Sequence, residues 1–106
     1  MKKQLQFALL GTLMVALPTF AQDVRIDIKE FMFAPVDLNI PPGTNVTWVN
    51  DDQIPHTVME THKAFHSAAL DTNDSFSYRF DNPGTFEYFC ALHPQMIGKI
   101  VVSAQL

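Results

Sequence analysis

The stretch Cys90-Ala91-Leu92-His93-Pro94-Gln95-Met96 concentrates the chemistry of this 106-residue chain. Cys90 is its one cysteine. Cys90, His93 and Met96 recur at three-residue spacing, so a thiolate, an imidazole and a thioether leave one short segment. Soft sulfur donors beside a borderline nitrogen suit a soft or borderline metal, copper above all. Two imidazoles, one thiolate and a weak axial thioether are the donors of electron-transfer copper sites. The segment supplies one histidine of such a set. His56, within Ile54-Pro55-His56-Thr57-Val58, can supply the other.

Other chemistries compete for the same residues. Haem attachment needs Cys-x-x-Cys-His, and no second cysteine exists. Four-coordinate zinc draws on more thiolate or imidazole and rarely on methionine. A buried packing cysteine beside a surface histidine and a core methionine is the plainest alternative.

The N-terminus bears on that choice. Lys2 and Lys3 precede an apolar run from Phe7 to Leu17, and Thr19-Phe20-Ala21 offers small residues where a signal peptidase reads. Residues 1–21 are therefore expected to be a secretory signal peptide, cleaved after Ala21. The run is short for a transmembrane span of about 20 residues. In an exported chain a lone cysteine has no internal disulfide partner, and metal ligation accounts for it. Residues 22–106 remain as one domain with a modest core. They carry five basic and eleven acidic residues, a formal charge of −6. That balance argues against nucleic acid and against an anionic membrane surface. No stable membrane insertion is expected, and the domain is read as a monomer.

The elements that must hold the site read as strands. Val24 to Lys29 alternates apolar and charged residues, the period of a half-buried strand. Pro35 marks a bend or sheet edge. Val36, Leu38 and Ile40 share one face of a second strand, closed by Pro41-Pro42-Gly43. Val46-Thr47-Trp48-Val49 reads as an interior strand with Trp48 in the core. Glu60 to Asp74 has no clean period and is expected as a surface loop. Ser75 to Phe80 alternates again, with Phe76, Tyr78 and Phe80 inward. After the Asp81–Gly84 turn, Phe86, Tyr88 and Cys90 share a side, so the thiol faces inward. Ile97 to Val102 is the last strand. Short strands between Pro/Gly turns predict an all-β fold, an antiparallel sandwich.

These residues together resemble the cupredoxins, and within them the amicyanin and plastocyanin-like proteins. The resemblance runs through Phe33 with Pro35, Pro42-Gly43, Val46-Thr47-Trp48-Val49-Asn50 and Pro55-His56-Thr57-Val58. It continues through Phe80, Gly84-Thr85-Phe86, Tyr88, Cys90, His93-Pro94, Met96 and Gly98-Lys99. It implies a Greek-key β-sandwich with one type 1 copper held by His56, Cys90, His93 and Met96. It also implies that Asn50, six residues before His56, helps hold the cysteine-bearing loop. Members often carry a hydroxyl residue directly after the cysteine. Ala91 stands there in this chain, so a side-chain bond from that position is lost. The segment ahead of the first strand is shorter than in amicyanins, and an added strand of theirs is not expected.

The function so implied is a periplasmic electron carrier cycling Cu(II)/Cu(I), not an enzyme. Its partners would be redox proteins, a dehydrogenase, cytochrome c or an oxidase or reductase. They would dock at an apolar rim around His93 formed by Leu92 and Pro94, with Gln95 and Pro55. A periplasmic copper-binding or copper-delivery protein is the alternative. For it, Met59, His62 and His66 would offer a second metal site.

Overall fold

The computed structural model describes residues 22–104, and the signal-peptide reading of residues 1–21 falls outside them. Alternation of apolar and polar side chains builds the first strand pair. In β1 (Asp23–Lys29) Ile26 and Ile28 are fully buried while Arg25 and Lys29 face water. A two-residue turn, Glu30-Phe31, reverses the chain into β2 (Met32–Ala34). Both turn residues have left-handed backbones, φ 54° and 59°. That conformation costs a non-glycine residue roughly 1–2 kcal/mol. The Asp52 carboxylate offsets it by accepting both turn amides, from Glu30 at 2.6 Å and from Phe31 at 3.0 Å. Hydrogen bonds to a charged group contribute about 1.5–3 kcal/mol each.

The chain then crosses repeatedly between two sheets. β3 (Asp37–Ile40), β5 (Met59–Glu60), β7 (Gly84–Cys90) and β8 (His93–Val102) form one, in the order β3-β8-β7-β5. β4 (Thr44–Asn50) and β6 (Ser75–Phe80) join the first pair in the other, in the order β2-β1-β4-β6. The result is an all-β cupredoxin-like sandwich, with no helix among the described residues. Its sheets are mixed: β1 lies parallel to β4 and β3 parallel to β8, the remaining pairs being antiparallel. The connection within each parallel pair passes through the opposite sheet, which is how a sandwich makes parallel neighbours without a helical crossover.

Between the sheets lies an aromatic core. Trp48 is fully buried, with ring centroids 5.4 Å from Tyr88, 5.6 Å from Phe65 and 5.7 Å from Phe76. Phe65 comes from the segment between β5 and β6. That segment has no regular structure, as its missing period suggests, yet it is more than a surface loop. It buries Phe65 and Leu70, its two large apolar residues. Val36 also departs from expectation. It is exposed ahead of β3, while Ile40 at the far end of the strand is buried.

The last strand begins earlier than periodicity indicates, at His93, so only Ala91 and Leu92 separate β7 from β8. Phe89 pairs with Ile97 but Cys90 pairs with His93, which leaves Pro94, Gln95 and Met96 unopposed on β7. This bulge returns Met96 to the buried face and keeps Cys90 and His93 at the same end of the sandwich.

Candidate metal centre

His56 is brought in by the segment that follows β4. Asn50, fully buried at the end of that strand, donates through Nδ2 to the carbonyls of Ile54 (2.9 Å) and Leu70 (2.8 Å). Its Oδ1 accepts the Asp52 amide at 2.8 Å. The backbones of His56 and Leu70 exchange two further bonds, at 3.1 and 2.7 Å. Asn50 therefore holds the segment that bears His56. The expectation that it holds the cysteine-bearing loop is corrected, because its amide is taken up by Ile54, Leu70 and Asp52.

A different residue reaches across to the cysteine. The Thr57 amide donates to Cys90 Sγ at 3.3 Å, and the Thr57 hydroxyl accepts the Ala91 amide at 2.7 Å. That hydroxyl also stands 3.9 Å from the sulfur as a donor. With alanine after the cysteine, a hydroxyl thus still serves this corner, supplied from the residue after His56.

Cys90 Sγ lies 3.7 Å from His56 Nδ1 and 3.6 Å from His93 Nδ1. The ligand atoms of the three residues all lie within 4.8 Å of one another. Cys90 and His56 are fully buried and His93 is partly exposed. His56 Nε2 is 2.8 Å from Asp52 Oδ2. An ionised carboxylate only accepts, so Nε2 carries the proton and the Nδ1 lone pair faces the sulfur. Burial pushes the Asp52 carboxyl up, but the Phe31 and Glu30 amides and His56 outweigh it and hold the group below the usual carboxylate range. A buried thiol, two imidazole nitrogens facing it and an amide aimed at the sulfur fit a type 1 copper. Met96, the fourth predicted ligand, is buried in β8 three residues beyond His93.

One contact had no signal in the sequence. Phe31, at the tip of the β1–β2 turn, packs edge-to-face on both imidazoles. Its ring centroid is 5.5 Å from His56 and 5.0 Å from His93, at interplanar angles of 88° and 87°. Asp52 had a faint one, as a carboxylate four residues before a candidate ligand. The chain neighbours of His93 face water: Leu92 is 50% exposed and Pro94 and Gln95 are exposed, as is Pro55 beside His56. His62 is nearly free in solvent beside Glu60, 3.6 Å away, and His66 bridges Met59 through the backbone. Among the described residues, His56, Cys90 and His93 are the one group of three or more His, Cys, Asp or Glu side chains within metal-binding reach.

Known proteins carry the same frame. Residues 20–103 match the model of the copper binding proteins, plastocyanin/azurin family. Amicyanin-alpha of Methylorubrum extorquens is 33% identical over 87 residues, which cover 77% of this chain and 73% of that protein. Amicyanin of Paracoccus denitrificans is 33% identical over 84 residues, 74% of this chain and 64% of the relative. Among solved structures, a purple cupredoxin from Nitrosopumilus maritimus superposes with a TM-score of 0.71 at 34% identity, over 76% of this chain and all of that one. A copper-containing nitrite reductase from Thermus scotoductus matches with a TM-score of 0.74 at 28% identity, but over only 24% of its length. The match thus spans the sandwich and its converging thiol and imidazoles, and the chain belongs to the plastocyanin/azurin family of copper binding proteins, the cupredoxins.

Proposed function

We propose that residues 1–21 are removed as a secretory signal and that the remaining chain carries single electrons in the periplasm, binding one copper ion through His56, Cys90, His93 and Met96. One observation carries this reading: Cys90 Sγ and the Nδ1 atoms of His56 and His93 converge inside a buried corner. Membership of the family, with amicyanins among its relatives, supports blue-copper electron transfer rather than catalysis.

When bound, copper supplies the Cu(II)/Cu(I) couple, and the rest falls to the chain. Asp52 fixes the tautomer and orientation of His56. The Thr57 amide meets the charge on the thiolate. Met96, buried on the same strand as His93, would hold the metal as a weak thioether donor. The β7–β8 pairing sets Cys90 opposite His93. His93 stands at the apolar rim, where Leu92 and Pro94 receive a redox protein such as a dehydrogenase, a cytochrome c or an oxidase or reductase. Copper delivery is the weaker reading, because one thiolate with two imidazoles serves copper in either oxidation state, as an electron shuttle needs.

The test is the visible and spin-resonance spectrum of the copper-loaded protein. Intense thiolate-to-Cu(II) absorption is expected, lost in Cys90→Ala. In Met96→Leu copper should remain and the potential should rise. A colourless Cu(II) protein, or zinc retained with copper excluded, overturns the assignment. Export is tested by the N-terminus of the periplasmic protein, expected at Gln22.

A further inference from the structure

The two imidazoles of the centre are held by different means. His56 is fully buried and bonded through Nε2 to Asp52. His93 is partly exposed, and its Nε2 has no hydrogen-bonding partner among the described residues. A metal-ligating histidine donates its second N–H to a carboxylate, a backbone carbonyl or water, and of these only a protein group ties the ring to the fold. What His93 has is the edge-to-face contact of Phe31 at 5.0 Å and that of His56 at 5.0 Å.

Phe31 is oddly placed for any other role. It is 47% exposed and adds little to the core. Its backbone is left-handed, as is that of Glu30 before it, where a tight hairpin turn favours Asn-Gly. The conformation is maintained by the same Asp52 carboxylate that orients His56, through the Glu30 and Phe31 amides. A single carboxylate thus sets one imidazole directly, and sets the residue that touches both.

We propose that Phe31, carried on the strained turn that Asp52 ties to His56, is the positioning residue for His93 and holds its imidazole in the metal-binding orientation before the metal arrives. Packing of the aromatic ring does for His93 what the hydrogen bond does for His56. The proposal rests on the reading of His93 as a ligand. It is specific in one respect: what matters is the ring, not the stability of the turn.

Phe31→Gly separates the two. Glycine accepts the left-handed backbone without strain, so the turn itself is relieved while the ring is removed. In the metal-free protein, nuclear magnetic resonance should show one ordered set of His93 ring signals, shifted by the Phe31 ring and with cross-peaks to it. In Phe31→Gly those signals should average toward free-histidine values, with the melting temperature kept within a few degrees. Loss of copper from the loaded protein to a chelator should accelerate roughly tenfold, the lower end of what removing a ligand's supporting partner does. Phe31→Tyr should restore both readouts. An ordered His93 ring and an unchanged release rate in Phe31→Gly overturn the proposal. So does a fall in melting temperature alone. Failure of the wild-type protein to show thiolate-to-copper absorption would instead strike the ligand reading, since the ring signals of the metal-free protein are judged apart from it.

Discussion

Gly98→Ala should be among the most damaging single-methyl additions in this chain. Gly98 lies on the inward face of β8, directly opposite Tyr88 on β7. A Cβ there would overlap Cζ and Oη of Tyr88 and come within 2.8 Å of Cε2. The ring has nowhere to go. Tyr88 is 1% exposed, wedged at 4.8 Å from Phe33 and 5.4 Å from Trp48. Overpacking of this kind costs about 1–3 kcal/mol, and a rigid, enclosed ring puts the figure near the top of the range. The entropy that alanine removes from the unfolded chain returns only about 0.4–1 kcal/mol, so the clash prevails. For a domain of this size each kcal/mol moves the melting temperature by roughly 4–8 °C, so a fall on the order of 10 °C is expected. The assay is thermal unfolding of the metal-free protein followed by circular dichroism. Tyr88→Phe serves as the control. Its hydroxyl is buried without a hydrogen-bonding partner, so removing it should be neutral or stabilising. Adding Tyr88→Phe to Gly98→Ala should recover part of the loss, because one overlapping atom is gone. A Gly98→Ala protein melting within about 2 °C of the wild type would refute the close approach of the two strands.

Further outcomes follow from named contacts. Burial above all pushes the Tyr88 phenol up to about 12, so its share of stability is intact below pH 10 and lost as pH rises through 12. Tyr88→Phe should therefore resist alkaline unfolding by about 2 kcal/mol at that upper limit. Burial also pushes Glu60 up, but the Ala64 and His62 amides outweigh it and hold the carboxyl below its usual 4.5. Glu60→Gln should cost about 1–2 kcal/mol at neutral pH in chemical denaturation, the gap closing as pH falls through the depressed pKa. Thr57→Val removes the hydroxyl between Ala91 and the Cys90 sulfur. Voltammetry should find a lower potential, restored in Thr57→Ser; a rise would contradict donation to the thiolate. Leu92→Lys should leave the spectrum unchanged and slow electron self-exchange in stopped-flow mixing, since a charge enters the half-exposed rim. As the control, joint replacement of His62 and His66 should change neither the spectrum nor self-exchange; impaired copper transfer from that pair would favour delivery over electron transport.

Strands were legible where one face meets the core. Val24 to Lys29, Ser75 to Phe80 and Thr85 to Cys90 alternate because each is half-buried, and each is a strand in the structure. Alternation reports a face and not a neighbour, so the parallel pairing of β1 with β4 could not be read from it. The start of β8 was hidden because the bulge at Pro94 to Met96 breaks the period. Phe65 and Leu70 were missed because burial in an irregular segment leaves no periodic trace. At the centre the division is sharper. A lone cysteine, two of four histidines and a methionine at regular spacing are scarce types that stand out. The residues that support them are a common aspartate, threonine, asparagine and phenylalanine. Their roles exist only once β1, β4 and β7 end at the same corner.

That corner explains why so small a domain can keep a metal site stiff. His56 arrives after β4 in one sheet, and Cys90 and His93 arrive on β7 and β8 of the other. Relative movement of the sheets would pull the donors apart unless something crosses between them. Thr57 crosses, bonding to the cysteine and to Ala91 from the residue after His56. Asp52 ties His56 to the β1–β2 turn, and that turn places Phe31 against His93 of the opposite sheet. The route from Asp52 through Phe31 to His93 and the route from Thr57 to Cys90 close a ring of contacts around the three donor atoms. A change in charge on a bound metal would then meet a frame tied at several points, the restraint that low reorganisation in electron transfer requires.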